Sequence, residues 1–239
     1  MCGRYASTRS AADLASLFDA LDETEGDLRP DYNVAPTDPV PIVRRSSRAT
    51  SSVLSVARWG LVPAWSRDAT GAARMINARA ETVATSPAFA RSFASRRCLV
   101  PADGWYEWAR GSGGAKQPYF MTRPDGEALT FGGIWTAWTT NDVRLLTFSV
   151  VTLPAEGDLA LVHDRMPLVL EPSRRSAWLT SPDPTGLLTG PHLQYASGIE
   201  TRPVSRAVGD VRNDGPHLTR RVAAPLVDRS TMEPPATLF

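Results

Sequence analysis

Apolar residues recur along most of this chain with the two-residue period of half-buried strands, and only briefly with a helical one. The clearest helical stretch lies near the start. Leu14, Leu17, Phe18 and Leu21 follow at i, i+3, i+4 and i+7, which puts them on one face of a helix. Ser10 is a capping residue for its first turn, and Asp13 sets a carboxylate beside the exposed amides there. The pattern predicts a helix over 11–22, followed by an acidic, Gly-containing loop to Pro30. Residues 39–43 and 53–58 read as strands around a polar turn, SSRATSS. WGLVPAW (59–65) is apolar but broken by Gly60 and Pro63, hence a loop rich in indole. Ser86-Pro87 opens a second short helix, with proline at its favoured first position. A short strand over 98–101 leads through a tight turn at Asp103-Gly104 into WYEW. Residues 119–122 and 129–134 form a hairpin across Pro124-Asp125-Gly126, and 145–152 is an apolar, β-branched strand. Two short helices, 156–162 and 173–179, flank a strand at 167–170, and the last thirty residues wrap the surface. No repeat, low-complexity linker or composition break intervenes. The reading is one α+β domain over 1–239, a mixed, much-bent sheet with short peripheral helices.

Composition narrows the class. With 239 residues and 42% hydrophobic positions, the chain can bury a full core and is not a disordered one. Two cysteines, Cys2 and Cys98, exclude a disulfide scaffold and a Cys-rich zinc site. His163, His192 and His217 form no HxxxH or HxH pair, so neither a metal nor a cofactor is expected. There is no signal-like N-terminus and no 18-residue apolar run. The expectation is a cytoplasmic protein with reduced thiols, no membrane partner and, without coiled-coil patterning, a monomer.

The formal net charge of +1 looks like an argument against nucleic acid, but its distribution is uneven. Residues 1–39 carry −5, residues 40–123 carry +9 and residues 124–239 carry −3. All basic residues but Lys116 are arginines. Arginine forks suit phosphate, while genome composition accounts equally for the bias.

Four places can carry chemistry. Removal of Met1 would leave Cys2 at the terminus with an α-amine and a thiol on adjacent carbons. These titrate near ~7.7–8 and ~8.5 in ordinary surroundings. Such a 1,2-aminothiol either attacks an amide carbonyl through sulfur, or condenses with an aldehyde and closes a thiazolidine ring; otherwise Cys2 is an inert second residue. In Asn77-Ala78-Arg79, alternation puts the amide and the guanidinium on one strand face, where they grip a phosphate or sugar oxygen or simply face solvent. Glu107 sits among Trp105, Tyr106 and Trp108, where desolvation raises a carboxyl pKa toward proton-transfer duty. His163, in LVHDRMPLVL, is either catalytic or satisfied by Asp164 or Arg165. Trp59 and Trp65 offer either a stacking surface for unpaired bases or core packing.

MCGRYA, YNVAPT (32–37), WGLVPAW (59–65), INARAET (76–82), RRCLVPADGWYEW (96–108), LTFSVVT (146–152) and HDRMPLVL (163–170) occur in a fixed order. Together they resemble the SRAP (SOS response-associated peptidase) family, whose members recognise abasic sites in single-stranded DNA. The resemblance runs from residue 2 to about Arg212, leaving 213–239 as a tail. It implies a single SRAP domain with a barrel-like core. It also implies that Cys2 is the nucleophile that crosslinks to the ring-opened aldehyde, with Asn77 and Glu107 lining the pocket and His163 as the catalytic histidine. Arg79, Thr152 and Arg165 match residues that contact the DNA backbone or the abasic sugar. Arg4 and Asn33 match positions beside the cysteine and are expected among the DNA-binding residues, and Trp65 lies in the loop that wedges against bases. The implied partner is single-stranded DNA containing an abasic site, with lyase and self-cleaving peptidase side activities.

Two other readings compete. Glutamine amidotransferase domains also begin Met-Cys-Gly, but usually need an Asn-Gly pair that this chain lacks. A non-covalent single-strand binding module would use Trp65 and the arginines alone, with salt-sensitive binding. A peptidase acting on other proteins is a weaker option, since nothing in the sequence shapes a peptide cleft.

Overall fold

The computed structural model describes residues 2–26, 28–46, 51–110, 116–140, 143–189, 195–196 and 198–223. Thirteen strands fall among them: β1 (Tyr5–Ser7), β2 (Ala20–Asp22), β3 (Asp31–Val34), β4 (Pro39–Arg45), β5 (Ser52–Trp59), β6 (Asn77–Arg79), β7 (Arg97–Ala102), β8 (Gly104–Arg110), β9 (Lys116–Thr122), β10 (Leu129–Thr140), β11 (Val143–Pro154), β12 (Arg165–Pro167) and β13 (Glu200–Pro203). The α-helices are short: α1 (Ala11–Phe18), α2 (Ala80–Val83), α3 (Ala90–Ser95) and α4 (Pro172–Thr180).

Five strands close on themselves. β11, β10, β7, β4 and β5 pair in that order, and β5 returns to β11 in parallel, with Arg58 opposite Thr147 and Trp59 opposite Phe148. Closure leaves these strands without a free edge. β2, β6 and β12 extend the ring, with β6 parallel to β11. A second sheet runs β13-β9-β8-β1-β3. Aromatic rings join the two. Tyr5 of β1 meets Trp59 edge-on with centroids 5.0 Å apart and Phe131 at 6.2 Å, and Trp105 of β8 meets Phe131 at 5.8 Å. Edge-to-face pairs of this kind add about 0.5–1.5 kcal/mol each beyond burial. The fold is therefore α+β with a bent mixed sheet, as the sequence pattern implied, and that sheet closes into the barrel that the family resemblance implied.

Several local expectations are corrected. The first helix is capped by Ser10, whose side chain accepts from the Asp13 amide, but it ends at Phe18 rather than 22. Asp19 turns left-handed at φ 47°, and residues 20–22 pair in parallel with β5. Leu21, the i+7 member of the apolar set, is 61% exposed; edge pairing with the barrel outweighs one more helical turn. The expected hairpin over 119–134 does not form. β9 pairs with β8 and β13, while β10 pairs with β7 and β11, so the Pro124–Gly126 turn carries the chain from one sheet to the other. The tight turn at Asp103-Gly104 likewise carries the chain from one sheet to the other. A Cβ on Gly104 would stand 2.4 Å from the Met121 carbonyl oxygen and 2.5 Å from the Phe120 ring, so only glycine fits. After Ser86-Pro87 the chain makes a turn, and the helix begins at Ala90. The 156–162 helix reduces to a 3-10 turn at Gly157–Leu159. The 167–170 strand shifts to Arg165–Pro167, with Val169 making one isolated bridge to Phe131. Among the described residues, no helix is long and apolar enough to cross a membrane.

Arg97 shows how local chemistry supports this arrangement. It is 5% exposed and its guanidinium donates to the carbonyls of Phe93, Ala94, Trp178 and Ser181. These oxygens end α3 and α4, where the helix dipole favours a cation. Replacing Arg97 by Met leaves four buried carbonyls without their donor. Arg97→Met is expected to lower unfolding free energy by roughly 3 kcal/mol or more, read from urea melts.

Candidate functional site

The site begins with a short strand. β1 lies between β3 and β8, with Tyr5 opposite Trp105. The Arg4 carbonyl accepts from the Tyr106 amide at 2.9 Å. Thr8, just after β1, donates through its amide and its hydroxyl to Asp103 at 2.8 and 2.7 Å. Along β8, Trp105 and Ala109 pack into the main core, while Tyr106 and Trp108 face the smaller cluster around Phe120, Val208 and Leu218. Alternation therefore turns Glu107 toward the main core, where Cys2 is also fully buried.

β6 approaches from the barrel side. Its register sets Asn77 opposite Val150 and Arg79 opposite Thr152 of β11. Ala78 is buried, Asn77 half-buried and Arg79 exposed. The Asn77 side-chain amide donates to the Cys2 carbonyl at 2.7 Å. The segment leading into β6 is held by Trp59, whose indole N–H donates to the Ile76 carbonyl at 3.0 Å, and by the Ser149 hydroxyl on the Met75 carbonyl. Trp59 is thus a core residue and no stacking surface.

Electrostatics set the chemistry. Glu107 is 3% exposed, and burial pushes its carboxyl up to about 7, against the opposing charge of the amino terminus. The His163 Nε2 lies 4.0 Å from the Glu107 Oε2. Its Nδ1 accepts from the Arg165 amide at 3.0 Å and stands 2.8 Å from the Asp164 Oδ1. Burial, then the amino-terminal charge, draws the imidazole below its usual pKa. Burial raises the Cys2 thiol well above its ordinary value and the Glu107 charge adds to this; the amino-terminal charge and a hydrogen bond from the Arg4 amide oppose. At neutral pH the site therefore holds a protonated thiol, a neutral imidazole and a carboxyl near half-ionisation. This suits proton transfer in either direction.

A second group lies where β6, β11 and β12 meet. The Arg165 guanidinium makes two bonds to Glu81, at 2.5 and 3.0 Å, and donates to the Thr152 carbonyl at 2.6 Å and its hydroxyl at 3.3 Å. Thr152 is fully buried. Glu81 thus occupies the Arg165 guanidinium, a partner that no sequence signal marks.

The side chains of the other expected residues point elsewhere. Trp65 is 70% exposed and shares a cleft of about 260 Å³ with Pro63, Pro87, Arg91 and Arg96. Arg4 and Asn33 bond to one another and to the segment around Val208–Asn213. The basic stretch 40–123 is partly dispersed. Arg97 is interior, Arg44 pairs with Glu23 at 2.9 Å and Arg123 with Asp125. Among the described residues, no group of three or more His, Cys, Asp or Glu side chains is placed to hold a metal.

Comparison with known proteins places this arrangement. Residues 1–211 match the sequence model of the family described as SOS response associated peptidase, SRAP. The chain is 33% identical over 225 residues to the abasic site processing protein YoaM of Bacillus subtilis, covering 91% of this chain and 97% of that one. It is 33% identical over 231 residues to the abasic site processing protein YedK of Escherichia coli K12, covering 93% and 100%. A solved structure of a Bacteroides thetaiotaomicron protein shares the fold, with a TM-score of 0.77 at 23% identity over 93% of this chain and 100% of that one. With the family motifs, the fold and a match over nearly the whole described chain in agreement, this protein belongs to the SRAP family.

Proposed function

We propose that this protein processes abasic sites in single-stranded DNA by forming a covalent crosslink through Cys2. Relatives of similar length are named abasic site processing proteins. The observation that carries the covalent reading is the buried Cys2 beside a carboxyl poised near pH 7, with its carbonyl held by Asn77.

The steps balance as follows. Removal of Met1 frees the Cys2 amine. The protonated fraction of His163 gives a proton to the sugar ring oxygen while the Glu107 carboxylate takes the proton of the C1′ hydroxyl, and the hemiacetal opens to the aldehyde. The amine adds to C1′, forming a carbinolamine. Protonated Glu107 donates to the departing hydroxyl, which leaves as water, and an iminium remains. The Glu107 carboxylate then takes the thiol proton, and sulfur adds to the iminium carbon to close a thiazolidine. If closure is slow, loss of a C2′ proton from the iminium expels the 3′ phosphate, a lyase reaction. Release of Met1 is the matching peptidase activity. Arg79 and Arg165 face the strand's phosphates, Thr152 backs Arg165, and Trp65 stacks on a neighbouring base. We take residues 1–239 as one SRAP domain acting as a monomer without a metal.

Four measurements test this. Protein with confirmed Met1 loss, mixed with single-stranded DNA carrying one abasic site, is expected to give a band that survives a denaturing gel and is absent with Cys2→Ala. No band from the processed wild type sinks the reading.

Glu107→Gln is expected to slow crosslinking by about 10²-fold or more, and an unchanged rate removes Glu107 from the proton steps. The same variant has a stability signature. The folded-state pKa is raised from the ordinary 4.5 to about 7, so the native state holds the extra proton. Its contribution is complete below pH 4.5 and is lost as pH rises through 7. At pH 8 Glu107→Gln should exceed wild type by about 3 kcal/mol, with little difference at pH 4, read from urea melts.

Trp65→Ala should weaken DNA binding about tenfold or more at unchanged melting temperature, measured by fluorescence anisotropy.

A further inference from the structure

Asn33 of β3 is buried, and every polar atom of its side chain is engaged. Its amide nitrogen donates to the carbonyls of Asp210 at 3.0 Å and Asn213 at 2.7 Å. Its oxygen accepts from the Arg4 guanidinium at 2.7 Å, and the same guanidinium nitrogen reaches the Val208 carbonyl at 2.9 Å. Further bonds hold the same stretch. The Asn213 side chain donates to the Ala207 carbonyl at 2.8 Å, and the Tyr32 amide donates to Asp214 at 2.8 Å. Val208 and Leu218 are buried against Ala6, Tyr106 and Phe120. Residues 205–215 therefore form a strap across the β3-β1-β8 face that points away from the main core.

Arg4 joins this strap to the site. Its guanidinium is held by Asn33 and Val208, its carbonyl accepts from the amide of Tyr106, next to Glu107, and its own amide bonds the Cys2 sulfur. The charges around the guanidinium are carboxylates: Asp38, Asp31 and Asp210 all act on it. A DNA phosphate entering there meets negative charge, and Nη1 of the guanidinium is already committed to two protein acceptors.

We propose that Asn33 and the 205–215 strap are positioning elements: they fix Arg4, and through the Arg4 backbone they hold the Cys2 sulfur against Glu107. Arg4 and Asn33 then serve the geometry of the nucleophile rather than contact with DNA. The inference rests on the reading of Cys2 as the reacting residue, and it concerns what aims that residue.

Asn33→Asp separates the two roles. It keeps an oxygen facing Arg4 and deletes the donors to Asp210 and Asn213. Three quantities are compared with wild type in the full chain: the crosslinking rate at saturating DNA, the Kd for single-stranded DNA carrying a tetrahydrofuran abasic analogue, and the rate of Cys2 alkylation by iodoacetamide, followed by peptide mass. The expected result is a crosslinking rate lowered roughly tenfold or more, a Kd within about twofold, and Cys2 alkylation raised about tenfold as the thiol leaves its buried site toward its ordinary pKa near ~8.5. A weakened Kd with an unchanged saturating rate would assign Asn33 to DNA contact and overturn the proposal. Unchanged alkylation overturns it whatever the DNA results. If wild type forms no crosslink but alkylation still rises in Asn33→Asp, the strap stands and the crosslinking function fails. Asn213→Ala, which loosens the strap at its Ala207 contact, should move all three readouts the same way by less. It decides the matter if Asn33→Asp does not fold, and no change in its alkylation rate overturns the proposal.

Discussion

A three-residue strand holds the amino terminus of this protein inside its core, and the rest of the structure depends on that pairing. β1 has few backbone bonds of its own. It is kept in place by Tyr5, whose ring meets Trp59 and Phe131, by Asp103 bonding to Thr8, and by the Arg4 carbonyl on the Tyr106 amide. Chain ends ordinarily fray; here the second residue is wholly buried. Because the same strand pairs with β8, fixing the terminus also fixes its distance from Glu107.

Burial then does the chemical work. A carboxyl and a thiol removed from water both favour their neutral forms, and the Glu107 charge raises the pKa of the thiol further. The cost is a less stable fold at high pH. The gain is a carboxyl that exchanges protons near neutrality with the groups around it. Arg97 shows the opposite solution to a buried charge, since it needs no acid and is satisfied by helix-end carbonyls. Basic residues in one stretch of sequence thus have different tasks. Some are structural, some are paired with acids, and Arg91 and Arg96 line the cleft beside Trp65. The +9 of residues 40–123 is therefore not one uniform field.

Much of the site was legible in the sequence. Asn77 and Arg79 share a strand face with Ala78 inward, as alternation required. Glu107 among aromatics is desolvated, as its neighbours suggested. His163 does meet both Asp164 and Arg165. What failed was long-range pairing. Residues 119–134 have the local pattern of a hairpin, yet each arm finds its partners in a different sheet. The first helix loses its last turn because residues 20–22 bond to a strand thirty residues away. Glu81 on Arg165, and Asn33 on the 205–215 strap, join positions distant in sequence and carry no local signature.

By itself the sequence determined which residues are chemically suited to react, which face of each strand they occupy, and the family. Periodicity and side-chain chemistry are properties of neighbouring positions, and so are written locally. Only the tertiary structure decided that Cys2 is buried, that Glu107 and His163 stand 4.0 Å apart across the site, and that Arg4 is committed to Asn33 and Val208. Desolvation and charge coupling depend on what the whole fold places around a group, and closure of the barrel through β5 and β11 is a relation between strands nearly ninety residues apart.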